Sequence, residues 1–470
     1  MAVMQHNLRW SDVVMKDVSV IILAAGKGVR MKSDLPKAVH RVCGREMINH
    51  VVDNARATGV SQIMVVVGYK ADVVKNVLDE GIETVYQEDQ LGTGHAVMQA
   101  APLLSKEIKQ VVVLYGDTPL IKPGTIRGLV DYHRKENCGM TVLTVEMDNP
   151  EGYGRIIRSD TGSITGIVEH GDAGPKQKEI REVNSGIYCF EREHLYDGLA
   201  SLKNDNVQGE YYLTDIVEFL CNKGIIIGGF CIKDQQEVMG VNTKYQLSVV
   251  QKEMNRRNLV KLMEEGVIID DPDSTYIGSS AVIGADTRVL PGTHIEGVTR
   301  IGEKNVIGPQ VRICDCSIGD GNEIEFSVIK DSDIGNRCRI GPYVHIRPGS
   351  DIKDSVRIGN FVEVKKSNLG EGSKVSHLSY IGDGDIGRDV NIGCGVVLVN
   401  YDGRKKHRTI IEDEAFVGCN VNLVAPVCIR KGAYVAAGST ITKDVGEYSL
   451  GIERGKQAEV KDWVRRKGLR

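Results

Sequence analysis

Tyr276-Ile277-Gly278-Ser279-Ser280-Ala281-Val282-Ile283-Gly284 decides how the second half of the chain is read. An aliphatic residue followed by glycine recurs after six positions. The pair returns at Ile301-Gly302, Ile307-Gly308, Ile340-Gly341, Ile358-Gly359, Ile392-Gly393 and Val417-Gly418. That period fits neither an ordinary helix nor a two-sided sheet. It predicts a hexapeptide solenoid, in which each short strand turns a corner and stacks on the coil below. Aromatic residues make up only 5% and glycines number 53, a composition that suits tight corners. The register slips by one residue between Ile313 and Ile318 and between Val364 and Leu369. After Ile392 the beat returns only at Ile411, so the basic run Asn400-Tyr401-Asp402-Gly403-Arg404-Lys405-Lys406-His407-Arg408 is predicted to bulge out as a loop. The coil is expected over 267–446, with a basic, non-repetitive tail at 447–470.

Working outward, residues 17–241 alternate apolar strand runs with helical stretches. Val18-Ser19-Val20-Ile21-Ile22-Leu23, Ile63-Met64-Val65-Val66-Val67 and Val111-Val112-Val113-Leu114-Tyr115 read as buried strands. This predicts a mostly parallel sheet covered on both faces. Residues 242–266 place Leu247, Val250, Met254, Leu259 and Leu262 on one helical face, with Gly266 as a stop signal. The segment reads as a linker helix or as the last surface helix of the first domain. Residues 1–16 lack a signal-peptide core and read as a short extension.

Net charge is −4, which gives no basic field for nucleic acid. No long uninterrupted apolar run predicts a membrane span. The 11 cysteines are odd in number and without framework spacing, so free thiols in a reducing, cytoplasmic setting are expected. Cys314-Asp315-Cys316 has no second pair at finger-like spacing and is read as repeat core.

Leu23-Ala24-Ala25-Gly26-Lys27-Gly28-Val29-Arg30-Met31 follows the first strand directly. Gly26 and Gly28 permit close approach of a phosphate, and a following helix would offer free N–H groups. The run lacks the third glycine of a dinucleotide fingerprint and the Gly-Lys-Ser/Thr of a P-loop. With Leu35-Pro36-Lys37 it resembles the opening motif of the sugar-nucleotide pyrophosphorylases. Gln87 and Leu91-Gly92-Thr93-Gly94-His95-Ala96 resemble the uracil-contacting segment of that family's uridylyl branch. Tyr115-Gly116-Asp117 resembles its metal-binding strand end, and Gly240-Val241-Asn242 its second metal position. Gly152-Tyr153-Gly154-Arg155, Ile167-Val168-Glu169-His170 and Val183-Asn184-Ser185-Gly186 resemble its sugar loops. The resemblance implies Mg²⁺ on Asp117 and Asn242. It implies substrate contacts from Leu23, Ala24, Gly26, Arg30, Lys37, Gln87, Gly92, Thr93, Gly154, Glu169, Asn184 and Asn242.

In the coil, Gly359-Asn360-Phe361-Val362-Glu363-Val364-Lys365-Lys366, Ser376-His377-Leu378-Ser379-Tyr380-Ile381-Gly382-Asp383, Asn391-Ile392-Gly393 and Asn400-Tyr401-Asp402-Gly403 form a specific series. Together with the first half, they resemble the bifunctional N-acetylglucosamine-1-phosphate uridyltransferase/glucosamine-1-phosphate acetyltransferase family, over roughly Val18 to Arg454. The fold this implies is an α/β Rossmann-like nucleotidyltransferase domain followed by a left-handed parallel β-helix. The resemblance makes His377 the general base of acetyl transfer, with Glu363 orienting its imidazole. It assigns Arg347, Lys365, Tyr380, Asn391, Asn400 and Tyr401 to the amino sugar and acyl group, Ala437 and Arg454 to coenzyme A, and Lys406 to a phosphate. Cys394 and Cys419 fall at acyl-donor positions where many relatives carry alanine and serine. The expected partners are UTP, acetyl-CoA and the two sugar phosphates, in a homotrimer, with no nucleic acid or membrane. The alternatives are a single-function nucleotidyltransferase with a structural or regulatory β-helix, and a scaffold that binds sugar nucleotide without turning it over.

Overall fold

The computed structural model describes residues 15–206 and 208–469, so most of the 1–16 extension lies outside the described residues. Two compact units meet in sequence at Met254 and Asn255. No helix among the described residues is long and apolar enough to cross a membrane.

The first unit is built on a mixed sheet. Its seven principal strands are β1 (Val18–Ala24), β2 (Gln62–Val67), β3 (Glu83–Tyr86), β4 (Gln110–Tyr115), β5 (Met140–Glu146), β6 (Glu182–Glu191) and β7 (Ile227–Ile232). They lie in the order β7-β5-β6-β4-β1-β2-β3. Only β6 runs antiparallel to its neighbours β4 and β5. Every residue of β1 is buried, because alternate side chains serve opposite faces. Val18, Val20, Ile22 and Ala24 share a core with Ile48, Val51, Val52 and Ala55 of the helix Met47–Arg56. Ile21 and Leu23 share another with Ala96, Val97 and Ala100 of the helix Thr93–Ala100. A strand walled in on both faces cannot afford polar alternation, which is why β1 reads as one apolar run. Val250 and Met254, in the helix Lys244–Glu264, pack with Met31, Val42, Leu120 and Val241.

The second unit opens on Asn255, whose amide donates to the Thr275 carbonyl (2.8 Å) and accepts from the Ile277 N–H (3.0 Å). Three parallel sheets of 11, 10 and 9 short strands follow, each strand pairing with its equivalent one coil away. This is the left-handed hexapeptide β-helix, with one sheet per face. One face stacks Val289, Ile307, Ile324, Ile340, Ile358, Val375, Ile392, Val417 and Val435 in register. The last pairing on that face sets Val435 against Gly451.

Corners turn on residues in the left-handed region. In most six-residue steps this residue comes three after the buried aliphatic, as with Asp286 after Ile283, Lys304 after Ile301 and Arg337 after Ile334; Gly297, two after Ile295, is an exception. In five-residue steps it comes two after: Asp315 after Ile313, Phe326 after Ile324, Asp331 after Ile329, Lys366 after Val364, Asp383 after Ile381. The dropped residue is therefore taken out of the corner, and the ladders keep their facing. The beat showed two such slips, at Ile313 and Val364. The structure adds three more, after Ile324, Ile329 and Ile381.

Corner backbone that turns inward needs polar partners. Thr287, Asn305 and Asn322 supply them from inside the coil, all fully buried. The Asn305 Oδ1 accepts from the Asn322 N–H (2.8 Å) and Nδ2 (2.9 Å), and the Asn322 Oδ1 accepts from the Cys338 N–H (2.8 Å). Asn322→Ala strands the Cys338 N–H and removes the side-chain donor to Asn305, while the backbone N–H of position 322 stays. We expect a loss of about 2–4 kcal/mol, read as a lower urea midpoint of the coil. An unchanged midpoint would contradict the ladder's role.

Candidate active sites

At the carboxyl ends of β1, β3 and β4, the loops after Ala24, Tyr86 and Tyr115 border a cavity of about 250 Å³. Open α/β sheets place ligands at such strand ends. Leu23, Ala24, Gly26, Lys37, Gln87, Gly92, Thr93 and Asp117 line it. The glycine turn departs from expectation in one respect. No α-helix follows it; the chain makes a three-residue 3₁₀ turn, Val29–Met31, between left-handed Gly28 and Lys32. A helix N-terminus is thus missing at this turn, and cationic side chains take its place. Gly28 is required here, since a Cβ would lie 2.7 Å from the Lys37 Cβ.

Lys37 forms an ion pair with Asp117 and donates to the Asn242 Oδ1 (3.0 Å), which also accepts from Arg30 (3.0 Å). Oxygens of Asp117 and Asn242 therefore converge on one ammonium group. That arrangement fits a cation, and Mg²⁺ needs only one or two protein oxygens beside phosphate and water. Arg30 and Asn242 join the site through this network without lining the cavity.

The sugar-loop residues form a second group. Gly154 accepts from the Asn184 N–H (2.9 Å), and a Cβ on Gly154 would lie 3.4 Å from the Glu169 carboxylate. Asn184 is committed internally: its Nδ2 donates to the Tyr188 hydroxyl (2.8 Å), and its Oδ1 accepts from the Gly186 N–H (2.9 Å). Burial, then repulsion from Asp172 and Asp215, raises the Glu169 pKa above the ordinary carboxylate value. Tyr115 is half-buried, and desolvation followed by the Asp117 and Glu169 charges pushes its hydroxyl up.

Tyr115, from the Tyr115-Gly116-Asp117 match, also lines the cavity, as do Gln90 and Glu210, which lie outside the matched motifs. Glu210 arrives from a distant strap. The Tyr211 N–H donates to Leu91 (2.7 Å), its carbonyl accepts from Gly94 (2.8 Å), and the Leu213 N–H donates to the Thr93 hydroxyl (3.2 Å). The strap presses so closely that a Cβ on Gly92, at φ +102°, would meet the Tyr211 carbonyl at 2.7 Å. Only this long-range pairing places Glu210, so no local motif could announce it. Gln87 is buried and donates to the Gly92 carbonyl (3.2 Å), fixing the same loop from below.

On the β-helix, one corner collects the second group of predicted residues. The Gly395 N–H donates to His377 (3.0 Å), Asn420 to Cys394 (2.7 Å) and Gly438 to Cys419 (2.8 Å). His377, Cys394, Cys419 and Ala437 therefore occupy one column, a coil apart. Three steps of about 4.8 Å give it a length of about 14 Å. Arg454 lies at its end, its Cδ 3.9 Å from a Cβ built on Gly438. Asn391 sits on the adjoining face, between Lys374 and Phe416.

The other adjoining face carries Arg347, Glu363, Lys365 and Tyr380. Glu363 accepts from Arg347 (2.8 Å) rather than from His377, correcting the expectation that it orients the imidazole. The reason is register: Glu363 pairs on the flat of the face with His345 and Tyr380, whereas His377 belongs to the corner. Asn400 is buried and donates to Asp383 (2.5 Å) and to the Tyr380 hydroxyl (3.4 Å). Contact with Lys365, and repulsion from its charge, lowers the Lys406 pKa. Two ammonium groups held together favour an anion between them. Asp402 shapes the predicted loop by accepting from the Arg404 (2.7 Å) and Lys405 (2.6 Å) N–H groups and pairing with His407 (2.8 Å). Tyr401 is exposed, its hydroxyl donating to Gly403 (2.8 Å).

All 11 cysteines are free. Cys316 is buried and its thiol is pushed up to about 11, chiefly by that burial, as core cysteines should be. No group of three metal-ligating side chains occurs among the described residues.

Residues 20–185 match the MobA-like NTP transferase domain, and residues 331–366 the bacterial transferase hexapeptide (six repeats). A curated relative named bifunctional protein GlmU, from Geobacillus sp. (strain WCH70), is 51% identical over 96% of this chain and 98% of its own length. Its namesakes from Caldanaerobacter subterraneus subsp. tengcongensis and Acetivibrio thermocellus are 51% and 49% identical, over 96% and 97% of this chain and 98% and 99% of theirs. The solved structure of HddC from Yersinia pseudotuberculosis aligns with 50% of this chain and 99% of its own at 20% identity, with a TM-score of 0.39 too low to bear on the argument. Half-identity sustained across nearly the whole of both chains leaves one conclusion: this chain belongs to the GlmU family of bifunctional proteins.

Proposed function

We propose that the chain makes UDP-N-acetylglucosamine in two steps on two sites. The β-helix transfers acetyl from acetyl-CoA to glucosamine-1-phosphate, and the α/β domain joins the resulting N-acetylglucosamine-1-phosphate to UTP, releasing pyrophosphate. The observation that carries this reading is the possession, in one chain, of a strand-end cavity with converging oxygens and a corner column headed by an imidazole.

In the first step the amino group of the sugar must lose a proton to attack the thioester carbonyl. His377 is exposed and takes that proton as a neutral imidazole. Arg347, Lys365 and Lys406 hold the sugar phosphate, with Tyr380, Asn391, Asn400 and Tyr401 around the sugar and acetyl group. Acetyl-CoA runs along the column past Cys394, Cys419 and Ala437 towards Arg454. The exposure of His377, Cys419 and Tyr401 supports a second copy closing over the corner, as a homotrimer would provide.

In the second step a phosphate oxygen attacks the α-phosphorus of UTP, and both partners are anionic. Positioning and charge neutralisation supply the catalysis. Mg²⁺ held by Asp117 and Asn242 would screen the phosphates. Lys37 and Arg30 hold the triphosphate; Gln87, Gly92 and Thr93 bind the uracil; Gly154, Glu169 and Asn184 bind the sugar. The free thiols support a reducing, cytoplasmic setting.

The test supplies glucosamine-1-phosphate, acetyl-CoA, UTP and Mg²⁺ together. Free thiol and pyrophosphate are expected to appear in that order, and leaving out acetyl-CoA to suppress pyrophosphate. Pyrophosphate at full rate without the acetyl donor would reject the two-step reading.

A further inference from the structure

Cys394 and Cys419 share the corner column with His377, and neither is needed for direct attack of the amine. We propose that Cys394 accepts the acetyl group from acetyl-CoA by thioester exchange, leaving an S-acetyl cysteine beside His377. The proposal rests on the acetyl-CoA reading of this corner.

Its geometric basis is the coil step. The 3.0 Å hydrogen bond from Gly395 to the His377 carbonyl lays the Cys394 coil directly on the His377 coil. Each residue immediately precedes a left-handed one, Leu378 at φ 54° and Gly395 at φ 71°. Equal positions in equal corners send both Cα–Cβ bonds out side by side, about 4.8 Å apart. Thiol and imidazole therefore come within reach by side-chain rotation alone. That is the pairing of nucleophile and base that thiol acyl transfer needs. Cys394 is half-buried and the other column thiol, Cys419, is exposed and one coil farther from the imidazole. Core thiols differ: burial pushes Cys43 up to about 12 and Cys338 up to about 11, which keeps them protonated and inert.

The step balances without an oxidant. The Cys394 thiol gives its proton to the His377 imidazole, and its sulfur attacks the acetyl carbonyl. The bond from that carbonyl to the coenzyme sulfur breaks, and the departing thiolate takes the proton from the imidazolium. One thioester is consumed and one is formed.

The full-length protein is incubated with acetyl-CoA carrying a labelled acetyl group, without amino sugar, then quenched in acid and digested. Acetyl label is expected on the Cys394 peptide, released by hydroxylamine. Cys394→Ala should reduce it to background, and His377→Ala should slow its appearance at least tenfold. Transfer to glucosamine-1-phosphate is measured in parallel on the unsubstituted protein. Normal transfer with no label, with label on Cys419 instead, or with label undiminished in Cys394→Ala would overturn the proposal alone. Absence of both transfer and label would overturn the acetyl-CoA reading, and the proposal with it.

Discussion

His377→Ala is expected to lower acetyl transfer to glucosamine-1-phosphate about a thousandfold, in the middle of the range for a lost general base. Pyrophosphate release from UTP and N-acetylglucosamine-1-phosphate should stay at the unsubstituted level. The side chain is exposed at a corner and outside the buried ladders, so its removal leaves no cavity in the coil. A changed urea midpoint would therefore signal an unintended structural effect, while an unchanged midpoint with acetyl transfer intact would remove His377 from the chemistry. The substitution also separates the main reading from a β-helix of purely structural use, for which acetyl transfer would be absent before any substitution was made.

Asp117→Ala carries the second large effect. Uridylyl transfer should fall by roughly a hundredfold to a thousandfold, the scale on which removing one preorganised electrostatic group acts. Acetyl transfer should persist. Asp117 is the carboxylate that meets Lys37, and its loss frees that ammonium to sit on the triphosphate as a permanent counter-charge. The expected signature is a weaker dependence of residual activity on Mg²⁺ concentration. A full rate with an undiminished Mg²⁺ requirement would move the metal elsewhere. A scaffold that only bound sugar nucleotide would release no pyrophosphate in either protein.

Period and motif carried much of both folds. The six-residue beat predicted the coil because each aliphatic must point inward once per face, and one side chain in six is what a three-sided coil demands. The same logic made β1 legible as an apolar run. Eight cavity-lining residues, among them Gly26, Gln87 and Asp117, were legible because they sit in or near the motifs at strand ends. Three kinds of feature were not legible. Glu210 depends on Tyr211 pairing with Leu91 and Gly94, far away in the chain. The partner of Glu363 was misassigned because nearness in sequence says nothing about flat against corner. The glycine turn suggested a helix behind it, but Lys32 at φ 48° stops the 3₁₀ turn after Met31.

The shift of the left-handed residue from third to second place gives the β-helix a tolerance that ordinary sheets lack. Losing one residue in a flat strand turns every later side chain to the wrong face. Here a codon can be deleted at a vertex, and the strands above still aim their aliphatics at the axis. Additions are absorbed the same way, and the excursion at 400–408 is such an addition grown large enough to carry Tyr401 and Lys406. A tower assembled like this can acquire or lose reactive loops during evolution while its mast stays upright.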